Sequence, residues 1–68
     1  MIKEKRKAKN YTQEQMANIL NISLRQYVRI DKEQALPRKD VLNRLINELE
    51  LTNEEIGEYI RKITQNIA

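Results

Sequence analysis

Residues 12–31, TQEQMANILNISLRQYVRID, carry two helix-start signals only eleven residues apart. Thr12 is followed three residues later by Gln15, and Ser23 is followed at the same spacing by Gln26. In this arrangement the hydroxyl caps the backbone N–H of the third helical residue, and the amide side chain bonds back to the N–H of the cap. The stretch therefore predicts the starts of two short helices that lie close together in the chain.

The interval between the two signals leaves little room for a connection. The first helix is predicted over Gln13–Leu20 and the second over Leu24–Asp31, so residues 21–23 alone reverse the direction of the chain. Asn21 suits such a corner because asparagine tolerates the left-handed backbone conformation. Two short helices joined in this way are typical of the helix-turn-helix motif that reads DNA, here residues 12–31.

The size and composition of the chain predict one domain spanning residues 1–68, with enough apolar residues, 40% of the total, for one compact core. Cysteine is absent, which suits a reducing cytoplasm. Charged residues interrupt the N-terminus before any apolar run forms, so neither a signal peptide nor a membrane span is predicted. These features predict a cytoplasmic, nucleoid-associated protein that does not bind a membrane.

The net charge of +3 is distributed unevenly along the sequence. Residues 1–39 contain ten Lys or Arg against four acids, whereas residues 40–68 contain three against six. A basic front and an acidic back predict an anionic partner on one side of the domain. For residues 3–9 alone, a solvated lysine-rich terminus is the alternative.

The remaining segments also read as helices, since the chain contains one glycine and one proline and no strand-like alternation. A helix is predicted over about Ile2–Lys9. Pro37 is predicted to start a fourth helix, and a third capping box, Thr52 with Glu55, to open a last helix over about residues 53–67. The predicted fold is all-α, a compact domain of five helices.

The second helix of the motif is predicted to bury Tyr27 and Ile30. The step of about one hundred degrees per residue then turns Leu24, Arg25, Val28, Arg29 and Lys32 outward. Arginine matches the acceptors of guanine in the major groove, and apolar side chains contact thymine methyl groups. Base reading is therefore predicted for Leu24, Arg25, Val28 and Arg29. Alternatively, Leu24 and Val28 cover a seam with the preceding helix.

Contacts with DNA phosphates are predicted for a second set of residues: Gln13, Ser23, Lys32, Arg38 and Lys39. Gln13 begins the first helix of the motif, where unpaired backbone N–H groups favour an anion. Arg38 and Lys39 lie at the predicted start of the fourth helix, where a positive charge opposes the helix dipole by roughly 0.3–1 kcal/mol. A bound phosphate removes that conflict, although both side chains could simply extend into solvent.

The run from Ile2 to Leu49 resembles the lambda-repressor-like, Cro and Xre group of bacterial and phage DNA-binding domains. The resemblance is carried by IKEKRKAKN, YTQEQMANIL, NIS, Arg29–Asp31, Pro37 and VLNRLINEL. It implies a five-helix DNA-binding domain, usually dimeric, whose third helix enters the major groove. It also implies a partly buried ion pair between Arg6 and Asp31.

Departures from the family pattern occur at five places, one of which is Ile19, where polar residues are usual. Asn10 and Asn21 stand where glycine is common, and both can adopt the same backbone conformation. Residues 31–33 are Asp-Lys-Glu where the family often has Glu-Asn-Gly. Tyr27 replaces a typical aliphatic core residue, so its hydroxyl must reach water or a partner.

The last helix supplies the material for a dimer, because its apolar stripe is longer than so small a core needs. Tyr59, Ile63 and Ile67 are the predicted dimer interface, while Ile56 and one or two neighbours pack on the fourth helix. The predicted function is that of a Cro-like repressor, which binds a palindromic double-stranded DNA operator as a homodimer. A chain of 68 residues has no separate sensing domain, so no small-molecule ligand is expected.

A second class of function is compatible with the same residues. A protein-interaction module, such as an antirepressor or an antitoxin-like partner, would use Leu24, Val28 and Ile19 as contact residues. An enzyme is not predicted, and neither is a cofactor or a metal site. The sequence has no histidine, no cysteine, no glycine-rich phosphate loop and no paired carboxylates to support them.

Overall fold

The computed structural model describes the backbone of residues 1–67 and the side chains of residues 1–65. Five α-helices follow one another: α1 (Ile2–Ala8), α2 (Gln13–Leu20), α3 (Leu24–Asp31), α4 (Lys39–Leu49) and α5 (Asn53–Ile67). The prediction of an all-α fold of five helices is confirmed. No helix in the described part of the chain is long and apolar enough to cross a membrane.

The three predicted capping boxes are all present. The backbone and side-chain hydrogen bonds of the pairs Thr12 with Gln15, Ser23 with Gln26, and Thr52 with Glu55 measure 2.8–3.2 Å. Each box satisfies two of the backbone N–H groups that a helix start leaves without partners. These local bonds fix where α2, α3 and α5 begin.

Asparagine makes the corners on both sides of α2. Asn10 has φ of 62° and Asn21 has φ of 56°, as the sequence predicted for positions where the family often has glycine. At Asn21 the chain leaves α2, and the N–H of Ile22 donates to the carbonyl of Ala17 at 3.0 Å. This bond closes the end of α2 and turns the chain directly into α3.

The start of α4 differs from the prediction. Arg38 has an extended backbone, with ψ of 161°, and acts as the N-cap, so the helix begins at Lys39 and Pro37 belongs to the preceding loop. In that loop Glu33 adopts φ of 57°, the conformation that glycine provides in the family's Glu-Asn-Gly pattern. Glu33 is buried, and its carboxylate lies 3.7 Å from Nζ of Lys62 on α5.

All five helices contribute to one core. Its fully buried side chains are Ile2, Met16, Leu20, Tyr27, Leu45, Leu49 and Tyr59. The contacts of α2 with α3 are the most extensive between any two helices of the described chain. Met16, Ala17 and Leu20 of α2 belong to the same core cluster as Tyr27 and Ile30 of α3. The core therefore holds the two helices of the motif in a fixed orientation.

The structure corrects the predicted dimer interface on α5. Tyr59 is completely buried and Ile63 is 4% exposed, so both belong to the core of the single domain. The hydroxyl of Tyr59 donates to the carbonyl of Ala35 at 2.6 Å, which links α5 to the loop before α4. The side chain of Ile67, the third predicted interface residue, lies outside the described part of the structure.

Candidate nucleic-acid interface

The outer face of α3 presents two arginines one helical turn apart. Tyr27 and Ile30 are buried on the inner face, as predicted, and this leaves Arg25 and Arg29 exposed on the outer face. Neither arginine has an ion-pair or hydrogen-bond partner among the described residues. Like charges at this spacing repel each other in water, so the fold itself gains nothing from the pair.

Two apolar residues accompany these arginines. Leu24, the first residue of α3, is 43% exposed, and Val28 is half-buried. Ile19 on α2 is also exposed, at 38%. Part of the Val28 side chain is thus covered by its own domain, whereas Leu24 keeps a larger share of its surface exposed beside Arg25.

The predicted phosphate-contact cations flank this face. Lys32 follows the last residue of α3, and Arg38 and Lys39 stand at the start of α4, all three exposed. Nε of Arg38 lies 3.5 Å from Oδ1 of Asp40, an exposed pair that is worth little in water. Lys39 has no ion-pair partner in the part of the chain that the structure describes. Its charge at the N-terminus of α4 therefore remains unfavourable without an anion.

Gln13 and Ser23, the two other predicted phosphate contacts, have partners inside the domain. Oγ of Ser23 accepts from the backbone N–H of Gln26 at 3.1 Å in the capping box. Nε2 of Gln13 donates to Oδ2 of Asp31 at 3.2 Å, so the first residue of α2 is tied to the last residue of α3. The Gln13 bond was not foreseen, because its partner lies eighteen residues away in the sequence.

Asp31 is the centre of a buried network that joins α1, α2 and α3. Arg6 on α1 grips the carboxylate with two hydrogen bonds, Nε to Oδ1 at 3.0 Å and an Nη to Oδ2 at 3.2 Å. The hydroxyl of Tyr27 donates to Oδ1 at 3.0 Å, which provides the partner that a tyrosine in the core requires. The network therefore contains the ion pair implied by the family resemblance, together with two donors that sequence reasoning missed. Tyr27 and Asp31 are four residues apart on one helix, and this spacing could have revealed the bond from Tyr27.

The hydrogen bonds that Asp31 accepts keep its carboxyl group ionised. Burial alone would raise the pKa of this carboxyl, but the bonds from Arg6, Gln13 and Tyr27 outweigh burial and hold the pKa below its ordinary value. Burial and the neighbouring carboxylate raise the pKa of Tyr27. At neutral pH the network therefore consists of an ionised carboxylate held by a guanidinium, a phenol and an amide.

Lys5 and Lys9, on α1 and at its C-terminal end, differ from the cations of α3 and α4 because acidic residues of the domain pair with them. Nζ of Lys5 lies 3.0 Å from the carboxylate of Glu55, and Lys9 forms an ion pair with Glu50. Part of the basic front predicted from the sequence is thus neutralised by the acidic back. Within the described residues, the basic side chains that form neither an ion pair nor a side-chain hydrogen bond are Lys3, Lys7, Arg25, Arg29, Lys32, Lys39 and Arg61.

Comparison with known proteins gives one match. Residues 2–56, more than half of the chain, match the helix-turn-helix family that includes Cro, Xre and lambda-repressor-like domains. No curated protein and no solved structure matches the chain significantly. The matched range begins with α1 and covers both helices of the motif, the loop with Glu33, and α4. The chain therefore belongs to the Cro, Xre and lambda-repressor-like helix-turn-helix family of DNA-binding regulators.

Proposed function

We propose that the protein is a sequence-specific transcriptional regulator, a Cro-like repressor that binds a palindromic operator as a homodimer. In this proposal α3 lies in the major groove and Arg25 and Arg29 read base edges. The supporting observation is the pair of exposed arginines one turn apart, without partners among the described residues, on the second helix of the motif. Their mutual repulsion becomes attraction when the surface in front of them is a polyanion.

Apolar residues on α3 extend the proposed base-reading face. Leu24 precedes Arg25 directly and is exposed, so it can contact a thymine methyl group in the same groove. Val28 lies between the two arginines along the helix and has part of its surface available. A guanine contact beside a thymine contact would give the domain more sequence discrimination than either alone.

Phosphate contacts set the position of α3 in the groove. Lys32, Arg38 and Lys39 lie beyond the C-terminal end of α3, and Gln13 and Ser23 lie at the N-termini of α2 and α3. Backbone N–H groups at such helix starts bind phosphate oxygens even where the side chain has a partner inside the protein, as with Gln13 and Ser23. Two lines of phosphate contacts would then grip the backbones on either side of the groove.

The Asp31 network supports the reading function by preorganisation. Arg6 and Gln13 tie α1 and α2 to the last turn of α3, so the angle at which α3 leaves the domain is set before DNA arrives. Because this angle is already fixed in the free protein, binding to DNA costs less conformational entropy. For two half-sites to be read together, the two α3 helices of a dimer must lie about 34–36 Å apart.

Selection of bound sequences from a random pool of DNA duplexes tests the proposal. We expect enrichment of a palindromic consensus whose half-sites are separated by about one helical turn. Enrichment of a single asymmetric half-site would remove the dimer from the proposal and keep base reading. A pool without enrichment would contradict sequence-specific binding.

A protein-interaction module on the same scaffold is the second candidate, favoured by the exposure of Ile19 and Leu24. Binding through these apolar residues would depend weakly on salt, whereas binding to DNA falls steeply as salt displaces the protein from the phosphates. The salt dependence of association with a captured partner therefore separates the two candidates.

A further inference from the structure

A cleft lies between α3 and the loop that joins α3 to α4. We call it the α3–α4 cleft, and its volume is about 340 Å³, within the range of small-molecule sites. Ile30 and Val41 belong both to its lining and to the core, so packed apolar side chains back the cleft. The apolar residues that line it are Ile22, Ile30, Ala35, Leu36, Pro37 and Val41.

Leu36 is the lining residue whose apolar surface the domain covers least. Its side chain is 47% exposed, the highest value among the large apolar residues on the described surface. A single exposed leucine is common in proteins, but this one stands in a concave site whose other walls are also apolar. An apolar group seated in the cleft would remove this surface from water.

The polar part of the lining favours an anion. Arg29 on α3 and Arg38 at the N-cap of α4 both line the cleft, whereas no Asp or Glu does among the described residues. Arg29 has no ion-pair partner there, and the pair of Arg38 with Asp40 is exposed and worth little. Oε1 of Gln26 accepts from the N–H of Ser23, so its Nε2 remains as a further donor beside the cleft.

The loop side of the cleft is held in place by the rest of the domain. The N–H of Gln34 donates to the carbonyl of Arg29 at 2.9 Å, and the hydroxyl of Tyr59 donates to the carbonyl of Ala35 at 2.6 Å. These bonds fix the chain just before Leu36, and the ring of Pro37 restricts the backbone just after it. The cleft therefore exists before a ligand arrives, and little ordering of the protein opposes binding.

We propose that the α3–α4 cleft binds a small amphipathic anion, a carboxylate joined to a compact aliphatic body as in a medium-chain fatty acid. The body lies against Leu36 and the apolar wall, and the carboxylate is held at the rim by Arg29 and Arg38. Hydrogen bonds from a guanidinium to a carboxylate are stronger than those between neutral groups. This class of ligand supplies both the apolar surface and the negative charge that the cleft lacks.

The size of the cleft favours a small molecule over a protein segment. A stable protein interface buries about 800 Å² on each partner, far more than one cleft of this volume can offer. The exposed residues Ile19 and Leu24 do not belong to its lining, so they would not extend such an interface from it. The inference departs from the sequence-based expectation that the protein binds no small molecule, because the site lies within the DNA-reading domain itself and needs no second domain.

Occupation of the cleft would oppose DNA binding, and this part of the inference rests on the proposed function. Arg29 is a proposed base reader and Arg38 a proposed phosphate contact. A carboxylate held by both would take their hydrogen bonds and place a negative charge in front of the DNA. By linkage, ligand and DNA must then weaken the binding of each other by the same factor.

Titration of the isotope-labelled protein with octanoate, without DNA, tests the site by NMR. We expect saturable chemical-shift changes concentrated on the cleft, including the methyl groups of Leu36 and Val41. Acetate carries the charge without the aliphatic body, and octanol carries the body without the charge. Each should therefore bind at least about tenfold more weakly than octanoate. Octanol that bound as tightly as octanoate, or an absence of saturable shifts in the cleft, would overturn the proposal whatever the DNA selection gives.

Leu36→Ala separates the cleft from the rest of the surface. Because Leu36 is exposed in a loop, the variant should keep the fold and most of its stability. The dissociation constant of octanoate should rise by about fivefold or more, since part of the apolar wall is removed. The control is Ile60→Ala, which shortens an exposed apolar side chain on α5, outside the cleft, and should leave octanoate binding unaltered. Equal dissociation constants for the two variants would exclude the cleft.

Competition with DNA is measured on the selected operator. Octanoate should raise the apparent dissociation constant of the DNA in proportion to its occupancy of the cleft, whereas acetate at equal concentration controls for ionic strength. Leu36→Ala should need about fivefold more octanoate for the same effect. Octanoate that filled the cleft and left the affinity for DNA unchanged would overturn the regulatory part of the proposal. The direct titration decides the site even if no operator is found.

Discussion

Two groups of lysine and arginine side chains differ in whether the domain supplies them with a counter-charge. Lys5 on α1 and Lys9, the residue that follows α1, form ion pairs with Glu55 and Glu50, which lie between the end of α4 and the first turn of α5. On α3, Arg25 and Arg29 have no partner among the described residues, and Lys39 carries a positive charge at a helix start. Composition alone makes these two groups look alike.

This difference shows how to recognise cations that bind a partner: the isolated domain does not stabilise their charge. The fold has already supplied Lys5 and Lys9 with counter-charges, so their basicity requires no external anion. The cations of α3 and α4 remain in positions that the isolated domain would not favour, next to a like charge or against a helix dipole. An anion outside the domain corrects both conflicts, so substitutions in the two groups should have opposite consequences for folding and for DNA binding.

Substitution of Arg6 should have the largest effect, because Arg6 is the buried cation of α1 and pairs with Asp31 inside the domain. Arg6→Ala leaves the buried carboxylate of Asp31 without its counter-charge and should reduce the free energy of unfolding by about 3–5 kcal/mol. Urea denaturation measures this loss. The matched control is Lys7→Ala, an exposed neighbour without an ion-pair partner among the described residues, which should change stability little. Equal stabilities of the two variants would contradict the structural role of Arg6.

Acid should weaken the same network. Because the folded state lowers the pKa of Asp31, its contribution to stability is fully present above the ordinary value of 3.8 and is lost as the pH falls through the lowered pKa. Below about pH 4 the stability of Asp31→Asn should therefore depend less steeply on pH than that of the original chain. Asp40→Asn, which removes an exposed carboxylate, should keep the original slope. Thermal denaturation at several acidic pH values provides the measurement.

Arg29 gives the next largest effect, this time on DNA and not on folding. Arg29→Ala removes a proposed base contact and should weaken binding to the selected operator by about 1–3 kcal/mol while relaxing specificity at one base position. Because the side chain is exposed, the free energy of unfolding should stay the same or rise as the repulsion from Arg25 disappears. Titration with operator variants measures the loss of affinity and the change in specificity. A uniform loss across all sequences would instead assign Arg29 to phosphate.

Local signals in the sequence were sufficient to predict most of the motif formed by α2 and α3. The capping boxes at Thr12 and Ser23 and the left-handed Asn21 are decided within a few residues, so the helix limits of the motif were predicted correctly. The inner and outer faces of α3 followed from the helical period once Tyr27 and Ile30 were assigned to the core.

Features set by distant parts of the chain could not be predicted. Which apolar residues of α5 turn inward depends on the loop before α4, where Ala35 binds the hydroxyl of Tyr59. The partners of Lys5 and Lys9 lie about forty to fifty positions further along the sequence. The helical period alone shows that α5 has an apolar stripe; it does not show whether that stripe meets its own domain or a second molecule.

Lys39 should have a smaller and less selective effect than Arg29. If its charge contacts a phosphate, Lys39→Ala should weaken binding to all DNA sequences alike and reduce the slope of log affinity against log salt by about one. Removal of a cation from the first turn of α4 should also stabilise the helix by roughly 0.3–1 kcal/mol. Binding assays at several salt concentrations measure the slope. An unchanged slope would place Lys39 outside the DNA footprint.

Lys9 should have the smallest effect and completes the comparison of the two groups. Its charge is already paired with Glu50, so Lys9→Ala should leave operator affinity and the salt slope of DNA binding as they are. The exposed pair is worth little, and folding should change only slightly. The contrast with Lys39→Ala is the informative measurement, because both changes remove one lysine charge from the same net charge. If Lys9→Ala lowered the salt slope as much as Lys39→Ala, the ion pair would open when DNA binds, and α1 would belong to the interface.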